Sequence, residues 1–425
     1  MKKKILMVSY RFPWPENKGG YNLRILNFAK ILKEEYAVSL LTLVEDKEEE
    51  KNIEHLKKEN IFEEIIYFYH PRSQEYKNTL QGFFSKLPLQ VAYYFSKEIK
   101  DYLFKNYHHY DLLYFNTLRA AIYLYQLQSV TNNLPPSVID LIDSIALNYY
   151  DAQKWNKNLL WQLIYQIEIP RLKRFEKKII SDNCFKKVFI SSEFDKKYLI
   201  QGLETEDRKS KVITIPNGVK EKLFSLPFSL SNASEENWIS FLGKMDTQPN
   251  QDAVIFFTKE VFPKIYSDPR FSDLYLYIVG ISPTRKIEKL EKIKNVKVTG
   301  YLKDPYEILK KSKIVVAPLR FGAGIQNKVL EAMAMGKTVV TSPIGARGIN
   351  KGIPGKHFEV VDSFDPEAWK KKITTLLLNP QKREMMGKEA RKLLIDEGYC
   401  WKNVGNKILK EINEVYLDYE QRNKK

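Results

Sequence analysis

The chain has 425 residues, 44% of them apolar and 13% aromatic. That excludes a disordered or collagen-like polymer, and at roughly 150 residues per domain it exceeds a single ordinary domain. Its 69 Lys and Arg against 52 Asp and Glu leave a formal charge of +17, spread as +6 over residues 1–200 and +11 over residues 201–425, which calls for an anionic counterpart such as nucleic acid, a membrane face or a small acidic molecule.

The first stretch reads strand, loop, helix, strand. Lys4–Tyr10 is a short apolar run, Arg11–Gly20 holds two prolines and two glycines, Asn22–Leu32 places Ile25, Phe28, Ala29 and Leu32 at helical spacing, and Ala37–Val44 is apolar again. A strand–helix–strand unit of this kind implies a parallel sheet. Ile65–Tyr69, Leu112–Phe115, Ser137–Ile142 and Lys187–Ile190 are further strand candidates, with a long helix expected from Trp155 to Ile180. The run Ile5–Tyr10 is too short for a signal-peptide core. No apolar run reaches the ~18 residues of a membrane span. Cys184 and Cys400 form neither a disulfide framework nor a zinc site and fit a reducing cytoplasm.

A polar stretch, Gln201–Lys222, contains the strand Lys211–Ile215 and the turn Pro216-Asn217-Gly218, and it marks a boundary. A second alternating series follows. Its strands are Trp238–Leu242, Leu274–Val279, Val296–Thr299, Ile314–Pro318, Thr338–Thr341 and Phe358–Val361; its helices are Gln251–Ile265, Ile287–Lys292, Pro305–Lys311, Ile325–Met335 and Pro366–Leu378. The expected fold class is α/β, with two Rossmann-like doubly wound parallel sheets, residues 1–205 and 206–400, and a cleft between them as the default site. Trp401–Tyr419 has Val404, Ile408, Ile412 and Val415 near i+4 spacing, a last helix ending in the charged Arg422–Lys425.

The most informative stretch is Pro318–Gly336, a strand, a glycine loop and a helix. Gly322 and Gly324 permit close backbone approach, and a helix starting near Ile325 or Gln326 directs its N-terminal N–H groups at the loop, an arrangement that attracts phosphate. Lys328 adds a full charge in the first turn, and Glu331, three residues on, is a carboxylate suited to ribose hydroxyls. A plain glycine turn before an amphipathic helix with an i,i+3 ion pair is the competing reading; the position late in the second sheet favours a nucleotide.

This stretch resembles the signature of the retaining glycosyltransferases of family 4, which have the GT-B fold, through Glu331-Ala332-Met333-Ala334 and Gly336. Ile215-Pro216-Asn217-Gly218-Val219 with Phe224, Phe241-Leu242-Gly243-Lys244-Met245, and Val298-Thr299-Gly300-Tyr301 resemble three more of its segments in the same order over residues 211–345, and Gly19-Gly20 matches more loosely. Two departures stand out. Ala323 occupies the place of the family's first glutamate, and Asp246-Thr247-Gln248-Pro249-Asn250 replaces its usual second lysine. The combination resembles a subgroup of bacterial sugar transferases linked to exopolysaccharide systems, with Lys328 supplying the missing charge.

The resemblance implies a retaining transferase moving a hexose from a UDP- or GDP-linked sugar to a hydroxyl of a glycan or lipid-linked acceptor, in bacterial polysaccharide or glycoconjugate synthesis. Lys244 and Lys328 would clamp the diphosphate and stabilise the charge of the leaving group. Glu331 would hold the ribose, Tyr301 and Leu302 would flank the base, and Gly20, Gly243, Gly322, Gly324 and Ile325 would bring backbone to the donor. Taken alone, Lys244 reads as a surface lysine at a strand end; beside the resemblance the clamp is favoured. Asp143, just past the strand Ser137–Ile142, is a candidate to orient or deprotonate the acceptor hydroxyl, with a helix cap, shared with Ser144, as the competing reading. No cofactor is expected beyond the nucleotide-sugar substrate, and no metal, because adjacent His108 and His109 are poor chelators and the other histidines are scattered.

In the GT-B fold the last helix crosses back to the first domain, which would assign residues 401–425 to it and place bends near residues 205 and 395. The basic face Arg171–Lys178 and the aromatic-rich residues 77–110, including Phe83, Phe84, Tyr93, Tyr94, Phe95, Tyr102, Phe104 and Tyr107, are mostly expected in the core or in water, but suit an anionic membrane surface, placing the protein in the cytoplasm and peripherally at the inner face of the membrane. Two other functions compete: a sugar-nucleotide epimerase on the same fold, disfavoured by sparse carboxylates, and a nucleic-acid-binding protein, disfavoured because the excess charge is dispersed lysine.

Overall fold

In this computed structural model residues 2–203, 205–226 and 235–423 are described, Arg422 and Asn423 without their side chains. The charged end expected at Arg422–Lys425 thus lies outside the described side chains. The chain divides into two units, Met1–Pro216 with Lys402–Lys425, and Asn217–Trp401.

The first unit is built on seven parallel strands: β1 (Lys3–Ser9), β2 (Tyr36–Val44), β3 (Glu64–Tyr69), β4 (Leu112–Asn116), β5 (Ser137–Ile142), β6 (Phe185–Ile190) and β7 (Val212–Thr214). Their order is β3-β2-β1-β4-β5-β6-β7. β1 and β4 read as continuous apolar runs because helices cover both faces of such a sheet. Inside it, Arg24 and Asp140 form a fully buried bidentate pair at 2.6 and 3.1 Å, and Arg24 also donates to the Ile215 carbonyl at 2.8 Å.

The second unit has six parallel strands: β8 (Trp238–Leu242), β9 (Tyr275–Val279), β10 (Val296–Val298), β11 (Ile314–Ala317), β12 (Thr338–Thr341) and β13 (Glu359–Val360), in the order β10-β9-β8-β11-β12-β13. Side-chain alternation sends Ile278, Val316 and Val340 into one core, and Val279, Val315 and Val339 into the core on the opposite face. The α/β class with two doubly wound parallel sheets therefore holds.

Three boundaries differ from the sequence reading. The strand at Lys211–Ile215 belongs to the first sheet: β7 pairs with β6 in register Val188↔Val212, Phe189↔Ile213, Ile190↔Thr214, so the break falls after Pro216 and not after residue 205. The helix expected from Trp155 to Ile180 runs from Leu159 to Ser181, because the Asn158 side chain caps its start, while Trp155 is the last residue of a separate helix, Ile145–Trp155, that Asn156 ends in an extended conformation. The segment Gln251–Ile265 is helical from Gln248 to Tyr266, with a π-helical turn at Phe257–Val261.

The last helix, Trp401–Asn423, packs within the first unit from Lys402 onward. Gly405 permits this, since a Cβ there would meet Ile31 at 2.6 Å. Lys187 pairs with Glu414 at 2.9 Å and with Glu411, and Ile408 and Ile412 are fully buried.

Candidate functional site

In an open parallel sheet the ligand crevice lies beyond the carboxyl ends of the strands where their order reverses. In the second unit that reversal falls between β8 and β11. β8 runs into Gly243 and Lys244 and then the helix Gln248–Phe256; β11 runs into the loop from Pro318 to Gln326 and the helix Asn327–Ala334. The sheet topology thus brings together two segments that the sequence separates by about eighty residues. The loop bends at Gly324, whose φ of 66° is costly for any residue with a Cβ, and passes through Gly322 at φ 147°. Ile325 anchors the loop in the core, and no side chain caps the helix that follows.

Lys328 is buried, only 8% exposed, in the first turn of that helix. Its Nζ donates to Asn250 Oδ1 and lies 4.8 Å above the centre of the Phe241 ring. Burial pulls the ammonium down to about 7, against the opposing pull of the Glu331 carboxylate. Glu331 is half-buried on the next turn. Burial raises its carboxyl to about 7, while the Tyr306 hydroxyl, Lys220 and Lys328 act in the other direction. Two groups of opposite charge therefore change protonation near neutrality at this one helix terminus.

Lys244 and Lys328 are connected through Asn250. Its Nδ2 donates to the Lys244 carbonyl at 2.8 Å, while its Oδ1 receives the Lys328 ammonium. The Lys244 side chain is partly exposed and pairs with Asp246 at 3.1 Å. Tyr301, 67% exposed, stands beyond the end of β10, after Gly300 at φ 63°. The neighbouring Leu302 packs against the core that holds Leu330.

Residues 236–379 match the family model described as Glycosyl transferases group 1. The match spans the second sheet, from β8 to the helix that follows β13. A 44.6 kDa protein in the cps region of Klebsiella pneumoniae is 25% identical over 356 residues, covering 81% of this chain and 84% of that one. Among solved structures the whole chain is similar to sucrose-phosphate synthase (tll1590) from Thermosynechococcus elongatus, at TM-score 0.70 and 17% identity over 98% of this chain and 100% of that one. It is also similar to Alr3699/HepE of Anabaena, at 0.65 and 16% over 97% and 100%. A third, TarM, matches at 0.67 and 14% over 98% and 99%. The two-sheet fold is that of these GT-B structures.

The matched segment also depends on residues that the sequence did not single out. Asn250 appeared only as part of a departure from the family's lysine, and its partner Lys328 is 78 positions away. Gly280 lies against the end of β8, and a Cβ on it would come within 1.7 Å of the Gly243 carbonyl oxygen. Arg347 donates to the Gly322 carbonyl and pins the glycine loop. Arg320 pairs with Asp252 at 3.2 Å between the Phe256 and Phe364 rings. Just upstream of the matched segment, the Asn217 amide donates to Asn327 Oδ1 at 2.8 Å, fixing the first residue of the helix.

Two predicted site residues lie in the first unit. Gly20 opens the helix Gly20–Leu32 and is exposed. Asp143 follows β5, immediately before Ser144, whose hydroxyl accepts from the Leu147 N–H and is the N-cap of the helix Ile145–Trp155. Capping is thus done by Ser144. The Ser144 hydroxyl also donates to Glu176, a buried carboxyl raised to about 8, by burial first and by the nearby Asp143 charge in smaller part. Among the described residues no group of three or more His, Cys, Asp or Glu is placed to hold a metal ion.

Proposed function

We propose that the chain is a retaining glycosyltransferase that moves a hexose from a UDP- or GDP-linked sugar to a hydroxyl of a glycan or glycolipid acceptor in bacterial polysaccharide or glycoconjugate synthesis, without a bound metal. One observation carries the reading: a buried lysine in the first turn of a helix, at the strand-order reversal of the segment that matches the group 1 family, tied through Asn250 to the segment holding Lys244. A cation in a water-poor crevice beside helix N–H groups stabilises a departing diphosphate more strongly than one in water. Alr3699/HepE has been crystallised with UDP-glucose, and TarM with UDP, which supports a donor of that kind.

In this reading Lys328 and Lys244 hold the diphosphate, Glu331 takes the ribose hydroxyls, and Tyr301 and Leu302 flank the base. Backbone at Gly243, Gly322, Gly324 and Ile325 approaches the phosphates and the sugar. As the bond between the anomeric carbon and the diphosphate oxygen breaks, the acceptor oxygen bonds the same face of the sugar and its proton passes to the departing phosphate. In the first unit Asp143 orients the acceptor hydroxyl, and Gly20 leaves room for a ligand. Calorimetric titration with UDP and GDP tests the donor half. If neither binds the wild type, or if Lys328→Ala binds as tightly, the clamp is wrong. An inverted anomeric proton coupling in the product would exclude retention.

A membrane-surface role has one specific support in the first unit. Arg171 donates to the Phe83 carbonyl at 3.1 Å and so joins the helices Arg72–Phe83 and Leu159–Ser181. Large apolar side chains are exposed on both: Leu80 at 67% and Phe84 at 89% in and just after the first, Leu159 at 82% and Leu160 at 66% in the second. Exposed apolar groups amid lysines suit the interface of an anionic bilayer, and we place the protein in the cytoplasm, at the inner face of the membrane. Among the described residues no helix is long and apolar enough to cross one. Sedimentation with anionic vesicles at low salt tests the contact, and protein left entirely in the supernatant would refute it.

A further inference from the structure

The first sheet has its own order reversal, between β1 and β4. By the same topological rule that places the crevice of the second unit, a ligand site belongs beyond the carboxyl ends of these two strands. Arg11 follows β1 and Arg119 follows β4. Both guanidinium groups lie on one ring: Arg11 at 5.2 Å and Arg119 at 4.6 Å from the centre of Tyr10. They are therefore no farther apart than the sum of those two distances. Tyr21 receives Arg11 at 4.5 Å, and Tyr94 receives Arg119 at 5.5 Å.

Among the described residues neither arginine forms an ion pair with a carboxylate. Arg24, Arg171, Arg320 and Arg383 each form an ion pair with Asp or Glu. Among the described residues Arg11 and Arg119 form none within 4.0 Å, although the Asp143 charge reaches Arg119 from the end of β5. Instead Arg119 donates through Nε at 3.0 Å and a terminal nitrogen at 2.6 Å to the neutral Gln90 Oε1, and Tyr149 fixes Gln90 with a bond of 2.8 Å. Thr117, at the end of β4, turns the chain toward Arg119 with φ 69°, a strained value for a β-branched residue. A side chain oriented by three neutral groups and a strained turn, and in no ion pair among the described residues, is arranged for a ligand that brings the negative charge.

We propose that Arg11 and Arg119 form an oxyanion subsite that binds a phosphate or carboxylate group of the acceptor, with Asp143 alongside to receive its hydroxyl. This assignment rests on the glycosyltransferase reading for the word acceptor; the oxyanion site itself does not. The planar guanidinium fork matches both oxyanions, and stacking on tyrosine preserves its orientation.

The test is saturation-transfer NMR and calorimetry on the full chain. The probes are glucose 1-phosphate, methyl glucuronoside and, as the neutral control, methyl glucoside. At least one anionic probe should bind about tenfold tighter than the neutral one. Arg11→Gln should remove that advantage, Arg119→Lys should reduce it, and Lys328→Gln should leave it intact, which separates this site from the diphosphate clamp. Preference for the phosphate assigns a phosphorylated acceptor; preference for the uronoside assigns an acidic sugar. Equal binding of all three probes, or anion binding that survives Arg11→Gln, would overturn the proposal. Arg11 is exposed, so its variant remains decisive should Arg119→Lys fail to fold. UDP titration of Arg11→Gln should match wild type; absence of UDP binding in both proteins would count against the donor reading alone.

Discussion

Asn250 accepts the Lys328 ammonium on Oδ1 and donates from Nδ2 to the Lys244 carbonyl at 2.8 Å. One amide thereby positions a buried cation and the strand end across from it. It stands in the stretch Asp246–Asn250, which departs from the family's lysine pattern, so a neutral hydrogen-bonding residue organises the charge that remains.

Replacing Asn250 with Leu removes that organisation. A hydrogen bond to a charged group contributes about 1.5–3 kcal/mol, so UDP or GDP affinity should fall about tenfold or more while the fold persists. Calorimetry on the two proteins checks this. Unchanged affinity would mean that Lys328 does not need its amide.

The pH dependence follows from burial. Lys328 has been brought from 10.5 to about 7, so its charge is present below that value and lost above it. Nucleotide affinity should therefore decline as pH rises from 7 to 9. Asn250→Asp adds a carboxylate beside the ammonium and should move the decline to higher pH. Glu331→Gln removes a charge that favours the ammonium and should move it lower. A flat profile in all three proteins would be incompatible with a titrating Lys328.

Gly280→Ala sets a Cβ at 1.7 Å from the Gly243 carbonyl oxygen, backbone against backbone. With φ at 148° as well, neither side moves cheaply. Destabilisation of about 2–3 kcal/mol is expected, visible as a thermal midpoint lower by several degrees. A wild-type midpoint would show that the β8 and β9 ends are loosely packed.

In the first unit Arg24→Met should cost about 3–5 kcal/mol, because it strands a buried Asp140 charge. The double variant Arg24→Met with Asp140→Leu should be more stable than the single one. Denaturant titration distinguishes the two outcomes, and a double variant less stable than Arg24→Met would contradict this account.

Most strands were legible in the sequence because both faces of a parallel sheet are covered, and a strand such as Ile314–Ala317 must then be apolar at every position. The glycine loop and helix from Pro318 to Gly336 were legible for a similar local reason: a left-handed turn at Gly324 and a helix start at Asn327 leave their marks within a few residues. The helix Lys47–Lys58 was not, since only Ile53 and Leu56 are buried in it and its apolar periodicity is correspondingly faint. The start at Leu159 was placed four residues early, at Trp155, because the Asn158 cap was read as part of the helix.

Local sequence determined two alternating α/β series, a glycine loop leading into a helix and the residue types available to it. Tertiary structure alone decided which sheet would take Val212–Thr214, that Asn250 would meet Lys328, and that Arg11 and Arg119 would share the ring of Tyr10. Each of these depends on strand order, and strand order is set by which apolar faces bury one another across more than twenty residues of chain. The same burial brings Lys328 to about 7, a property that no neighbouring residue in the sequence encodes.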